Sequence, residues 1–73
     1  MSKLANISGK KVVKAFEKLG WVVRGQVGSH VVLIKKNEKA NLSVPQHKEL
    51  ATGTLRKLIK YSGVTVDEFL EKL

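Results

Sequence analysis

Cysteine is missing from this chain of 73 residues, which excludes disulfides and thiolate metal sites. The two histidines, His30 and His47, are too few to imply a structural zinc, so no metal and no cofactor is expected. Proline occurs once, at position 45, and aromatic residues four times. The longest apolar run, Val31 to Ile34, is far short of the roughly 20 residues that cross a bilayer. Residues Met1 to Ile7 lack the apolar core of a signal peptide. Acidic residues are few, six in all. At 42% hydrophobic and 27% charged, the composition is still that of a folded protein and not of a disordered tail. A chain this short stands near the lower limit for folding on its own core. Together with a cysteine-free composition suited to a reducing compartment, this predicts one complete cytoplasmic domain over residues 1–73.

Basic residues are abundant. Fourteen of them against six acids give a net charge of +8, unevenly spread. Met1 to Lys36 holds eight basic residues and one acid, whereas Asn37 to Leu73 holds six and five. An asymmetric positive field attracts polyanions, of which nucleic acid is the commonest. The alternative is a basic surface that serves only solubility. An anionic membrane surface is disfavoured, because no segment reads as a long, strongly amphipathic helix.

The first helix is signalled by Ser8, whose hydroxyl suits an N-cap, and by Ile7 and Val12 at the positions of a hydrophobic staple. Val12, Val13, Phe16 and Leu19 recur at helical spacing, and Gly20 suits the left-handed residue that ends the helix. Lys10, Lys11, Lys14 and Lys18 fall on the other side, either a solvated face or a ridge that meets phosphates. Trp21 to Gln26 and His30 to Lys36 are rich in β-branched residues, with Val27, Gly28 and Ser29 as the turn between them. After a second turn at Asn37 to Lys39, Ala40 to Val44 alternates as a half-buried strand does, and Pro45 ends it. Thr52 is expected to cap a helix from about Gly53 to Ser62 that Gly63 stops, with Leu55, Leu58 and Ile59 as its apolar stripe. Thr65 to Glu68 matches a capping box and opens a short helix that buries Phe69, Leu70 and Leu73.

The resulting order, α-β-β-β-α-α, predicts an α+β fold with a three-stranded antiparallel sheet and helices on one face. The second strand is apolar on both faces. Either its outer row is partly exposed, as at a partner surface, or the chain's own ends and loops bury it.

The segments SGKKVVKAFEKLGW (Ser8 to Trp21), GSHVVL (Gly28 to Leu33) and VPQHKELATGTLRKLIKYSGVTVDEFL (Val44 to Leu70) carry a more specific signal. In this order and spacing, over Ile7 to Leu70, the chain resembles the HicA toxins of bacterial and archaeal toxin–antitoxin systems. Gly28-Ser29-His30 is the most telling element. Val44-Pro45 with His47, and Gly53-Thr54-Leu55 with Leu58 and Ile59, add independent support. The resemblance implies a fold like the double-stranded-RNA-binding domain, an mRNA-cleaving activity and neutralisation by a HicB antitoxin. It also implies that His30 is catalytic.

The chemistry suits that role. RNA carries its own nucleophile in the 2′-hydroxyl, so cleavage needs no metal; it needs a base, a proton donor and positive charge at the phosphate. An imidazole titrates near neutrality and moves protons in either direction, typically worth about 10²–10⁴-fold. Gly28 would let an RNA backbone approach, and Ser29 would hold a phosphate oxygen or simply shape the turn. Arg24 is expected near His30 across the hairpin, where its guanidinium can hold two phosphate oxygens. Lys35 and Lys36 are further candidates as charge stabilisers. Lys10, Lys11, Lys14 and Lys57 suit general attraction to the RNA backbone. His47 is either a second proton-transfer group or a packing residue. Trp21 reads as core and not as a stacking platform, so contacts to shape and backbone are expected to outweigh base readout. The same residues also fit an RNA-binding module without catalysis, in which His30 only bonds a 2′-hydroxyl, or a protein-interaction domain that uses the exposed sheet face.

Overall fold

The computed structural model describes residues 4–73. The reading of Met1 to Ile7 as lacking a leader core therefore falls, for its first three residues, outside the described ones. Helix α1 runs Gly9–Lys18. Ser8 precedes it in extended conformation, and its Oγ accepts from the Lys11 amide at 3.3 Å. Gly20, at φ +101°, turns the chain away at the far end. Val12, Ala15 and Phe16 are buried, with Val13 and Leu19 packed beside them, so the apolar stripe faces the core. Ile7 is buried with Val12, as a staple requires.

Three strands follow: β1 Val22–Val27, β2 His30–Ile34 and β3 Leu42–Pro45. They form one antiparallel sheet in the order β1-β2-β3. Val27 pairs with His30. The first turn is therefore the two residues Gly28-Ser29, and Val27 belongs to the strand and not to the turn as its sequence suggested. Gly28 has φ +59° and Ser29 is not in the positive-φ region, the sign pattern of a II′ turn, whose first central position favours glycine. The β1–β2 register shifts between Val23 and Gly25, which leaves Arg24 as the extra residue of a bulge.

The helices cover one face of this sheet. Residues paired across strands share a face, so Leu33, Leu42 and Val44 point inward, and all three are buried. The outer row holds Val22, Val27, His30, Val32, Ile34 and Ser43. Val22 is 60% exposed, Val27 71% and Ile34 36%. The outer face is thus open and largely apolar, and of the two outcomes left open by the sequence the exposed one holds. Strand β1 is exposed along its whole length.

Helix α2 spans Thr52–Ser62 and α3 Val66–Glu71. Thr52 does not cap α2. Ala51 is the N-cap residue, without a side-chain bond, and Thr52 Oγ1 instead donates to the Leu4 carbonyl at 3.3 Å, tying the N-terminal segment to the helix. Leu55, Leu58 and Ile59 are buried as expected, and Gly63 closes the helix at φ +79°. Thr65 and Glu68 form a complete capping box on α3. Phe69 is buried, but Leu73 is 47% exposed, because α3 ends before Leu73 can turn inward. Phe16 stacks at 5.1 Å between ring centroids on Phe69 and edge-on at 6.4 Å to Trp21.

The Trp21 indole N–H is buried without a hydrogen-bond partner among the described residues. That omission costs about 1–3 kcal/mol. Burying an aromatic side chain of about 150–250 Å², at about 25 cal/mol per Å², contributes about 4–6 kcal/mol, so packing outweighs the lost bond.

Candidate active site

His30 opens β2 on the outer face and is exposed. Its imidazole has no hydrogen bond or ion pair among the described residues, so both ring nitrogens are open to a ligand. Its position is nevertheless firmly held. The backbone pairs with Val27 on one side and with Pro45 on the other. Both carbonyls of the preceding turn are tied: Gln26 Nε2 donates to Gly28 O at 3.0 Å, and the Gln46 amide donates to Ser29 O at 2.7 Å. A Cβ on Gly28 would meet nothing within 4 Å. Glycine is needed there for its backbone angle and not for space, and the same emptiness leaves the turn accessible.

The turn is clasped from below by α1. The Gly9 amide donates to the His47 carbonyl at 2.9 Å, and Gly9 lies so close to Pro45 that a Cβ there would collide with the Pro45 carbonyl oxygen. A chain of backbone contacts therefore runs from α1 through Pro45, Gln46 and His47 to the turn that carries His30. Sequence reasoning passed over Gly9, Gln26 and Gln46. The two glutamines bear no local signature, since their roles depend on pairings that only the folded chain creates.

The cations divide into groups. Arg24 lies in the bulge, between the pairs made with Val32 and Leu33 and not directly opposite His30. It shares a shallow hollow with Gly25, Gln26, Val27 and Val32. Lys10 shares a hollow with Ser8, Gln46, His47 and Lys48, directly after His30's partner Pro45. Lys11 and Lys14 line a different hollow with Lys18 and Lys72. Lys57 is exposed on α2. Among the described residues no ion pair neutralises any of these side chains.

Among the described residues, no three of His, Cys, Asp and Glu are grouped as a metal ion would require, and no helix is long and apolar enough to cross a membrane. The family model described as "HicA toxin of bacterial toxin-antitoxin" matches residues 9–64, from the first residue of α1 to just beyond α2. No curated protein matches the chain.

Proposed function

This chain belongs to the HicA toxin family, and from that premise we propose that it is a metal-independent endoribonuclease that cuts mRNA with His30 and is neutralised by a HicB-type antitoxin. It is a toxin of a toxin–antitoxin system by family; the cleavage, the residues and the identity of the antitoxin are the proposal. The observation that carries it is an imidazole with no partner among the described residues, exposed at the end of a turn whose two carbonyls are both fixed. A surface histidine that served the fold would be expected to bond the loops beside it.

In the proposed reaction His30 takes the proton of the RNA 2′-hydroxyl, and the 2′-oxygen attacks the adjacent phosphorus. The bond to the 5′-oxygen of the next nucleotide breaks. That oxygen takes a proton from water or from a second acid, for which His47 is the candidate. The products are a 2′,3′-cyclic phosphate and a 5′-hydroxyl. Gly28 and Ser29 line the approach, and Lys10, which shares a hollow with Gln46 and His47, is the candidate to supply charge at the phosphate. Lys11, Lys14, Lys57 and Arg24 add attraction to the backbone, so binding weakens steeply with salt. The open apolar face formed by Val22, Val27, Val32 and Ile34 supports a second role, as the surface on which the antitoxin rests beside His30. The α-β-β-β-α order supports the expected likeness to the double-stranded-RNA-binding domain, and residues 1–73 are read as one domain acting in the cytoplasm.

The test is RNA cleavage in EDTA by the wild type and by His30→Ala. Cutting by the wild type, with binding but no cutting by the variant, supports the reading. Equal cutting by both removes His30 from the mechanism. Binding without cutting by either leaves a non-catalytic RNA-binding module.

A further inference from the structure

We propose that this toxin grips its RNA on one side of the cut only, along a lysine track that begins in the hollow following Pro45, the strand partner of His30, and continues up α1 to the C-terminal end of the chain. The inference rests on the cleavage reading above and adds Lys18, Lys48 and Lys72 to the residues that hold RNA.

Two hollows carry it. The nearer one, with Lys10 and Lys48 on its walls, follows directly from Pro45, the residue paired with His30. The farther one is walled by Lys11, Lys14, Lys18 and Lys72. They meet where the chain enters α1, since Asn6 and Ile7 line the farther hollow and Ser8 the nearer. Lys11, Lys14 and Lys18 stand at helical spacings of three and four, which align them in one row. At 1.5 Å per residue that row is about 10 Å long. No Asp or Glu lines either hollow, although Leu73, the last residue, lines the farther one, and among the described residues none of the six lysines is ion-paired, so their charge is available to a polyanion.

The other side of His30 is different. The hollow on the outer sheet face offers one cation, Arg24, together with Val27 and Val32. Beyond it the surface is the exposed Val22 and Ile34, followed by Lys36. Phosphates gain little there, and apolar side chains offer nothing to a charged backbone. Six lysines line the hollows on one side against one arginine in the hollow on the other, which makes the electrostatic grip unequal. The ligand chemistry is the phosphodiester backbone itself, because lysines dominate the track and no Trp, Tyr or Phe lines it, the imidazole of His47 being its one ring.

The experiment uses RNA oligonucleotides with one cleavable ribonucleotide, the other positions carrying 2′-O-methyl groups. They are extended by the same length on the 5′ side or on the 3′ side of the cut. Full-length wild type is compared with Lys14→Gln/Lys18→Gln and with a charge-matched control, Lys39→Gln/Lys60→Gln, whose residues line neither hollow. KM is expected to fall on extension of one side only, and the Lys14/Lys18 double variant is expected to lose that gain at unchanged kcat. The slope of log binding constant against log salt should become shallower by about 1.4, at about 0.7 per lost phosphate contact, and more so than in the control. Equal gains from both extensions overturn the proposal, as does a slope matching the control or RNA binding that does not respond to salt. If no oligonucleotide is cut while the slope still flattens, the cleavage reading falls and the track stands.

Discussion

Leu33 and Ile34 are neighbours on β2 with similar side chains, yet Leu33 is fully buried and Ile34 is 36% exposed. The alternation of a strand sends one to the helices and the other to the open face. The inner row is filled by Leu33, Leu42 and Val44 and holds the fold together. The outer row exposes Val22 and Val27, ends at His30 and is left to whatever binds. Burial of a side chain such as Leu stabilises by about 1.5–3 kcal/mol, whereas the exposed row contributes little until something covers it. One face is closed by packing and the other is left open, although both are written largely in aliphatic residues.

The largest effects should separate the two faces. His30→Ala is expected to lower the RNA cleavage rate by about 10²–10⁴-fold while shifting stability by no more than about 0.5 kcal/mol, as for other exposed positions; rate assays and urea unfolding on the same preparation check both. Leu33→Ala should do the reverse. It is expected to cost about 2–5 kcal/mol, out of a total of about 4–11 kcal/mol for a chain of this size. Val32→Ala, next to it on the other face and only half-buried, should cost clearly less than Leu33→Ala in the same unfolding series. Equal costs would mean that the outer face is not open in solution.

A smaller effect concerns the clasp under the turn. Gly9→Ala drives a methyl into the Pro45 carbonyl, and overpacking of this kind costs about 1–3 kcal/mol. The cleavage rate should fall with it, because Gln46 would be pulled from Ser29. Gly28→Ala meets no neighbour but forces a side chain to positive φ, at about 1–2 kcal/mol. Its unfolding midpoint should therefore shift less than that of Gly9→Ala.

The smallest effect lies far from both faces. The Thr65 backbone amide and side chain hold the Glu68 carboxyl below its ordinary range. A depressed carboxylate stabilises the fold above its unfolded pKa and loses that contribution as pH falls through the folded value. Acid titration by NMR should find Glu68 titrating below an ordinary glutamate, and Thr65→Ala should move it back upward.

Some of this was legible before folding and some was not. Ser8 as a cap, the Thr65–Glu68 box and the stop at Gly63 all stand where local rules put them, since each involves residues within a few positions of one another. Thr52 failed as a cap because a distant carbonyl, that of Leu4, competed for its hydroxyl. Trp21 was recognisable as core, whereas Leu4 and Leu50, also buried, sit in segments without periodicity. The turn at Gly28-Ser29 was visible, but its length was not. The bulge at Arg24 was not visible either, because it depends on a register that only the paired strands set.

By itself the amino-acid sequence determined the order of the elements, the excess of positive charge in the first half and the motif that contains His30, because composition, capping and periodicity are local properties. Only the tertiary structure decided that His30 faces outward, that Gln46 fixes its turn from the end of another strand, and that the lysines divide between two hollows. Those outcomes depend on strand register and on which face the helices cover, and both are set by contacts between residues far apart in the chain.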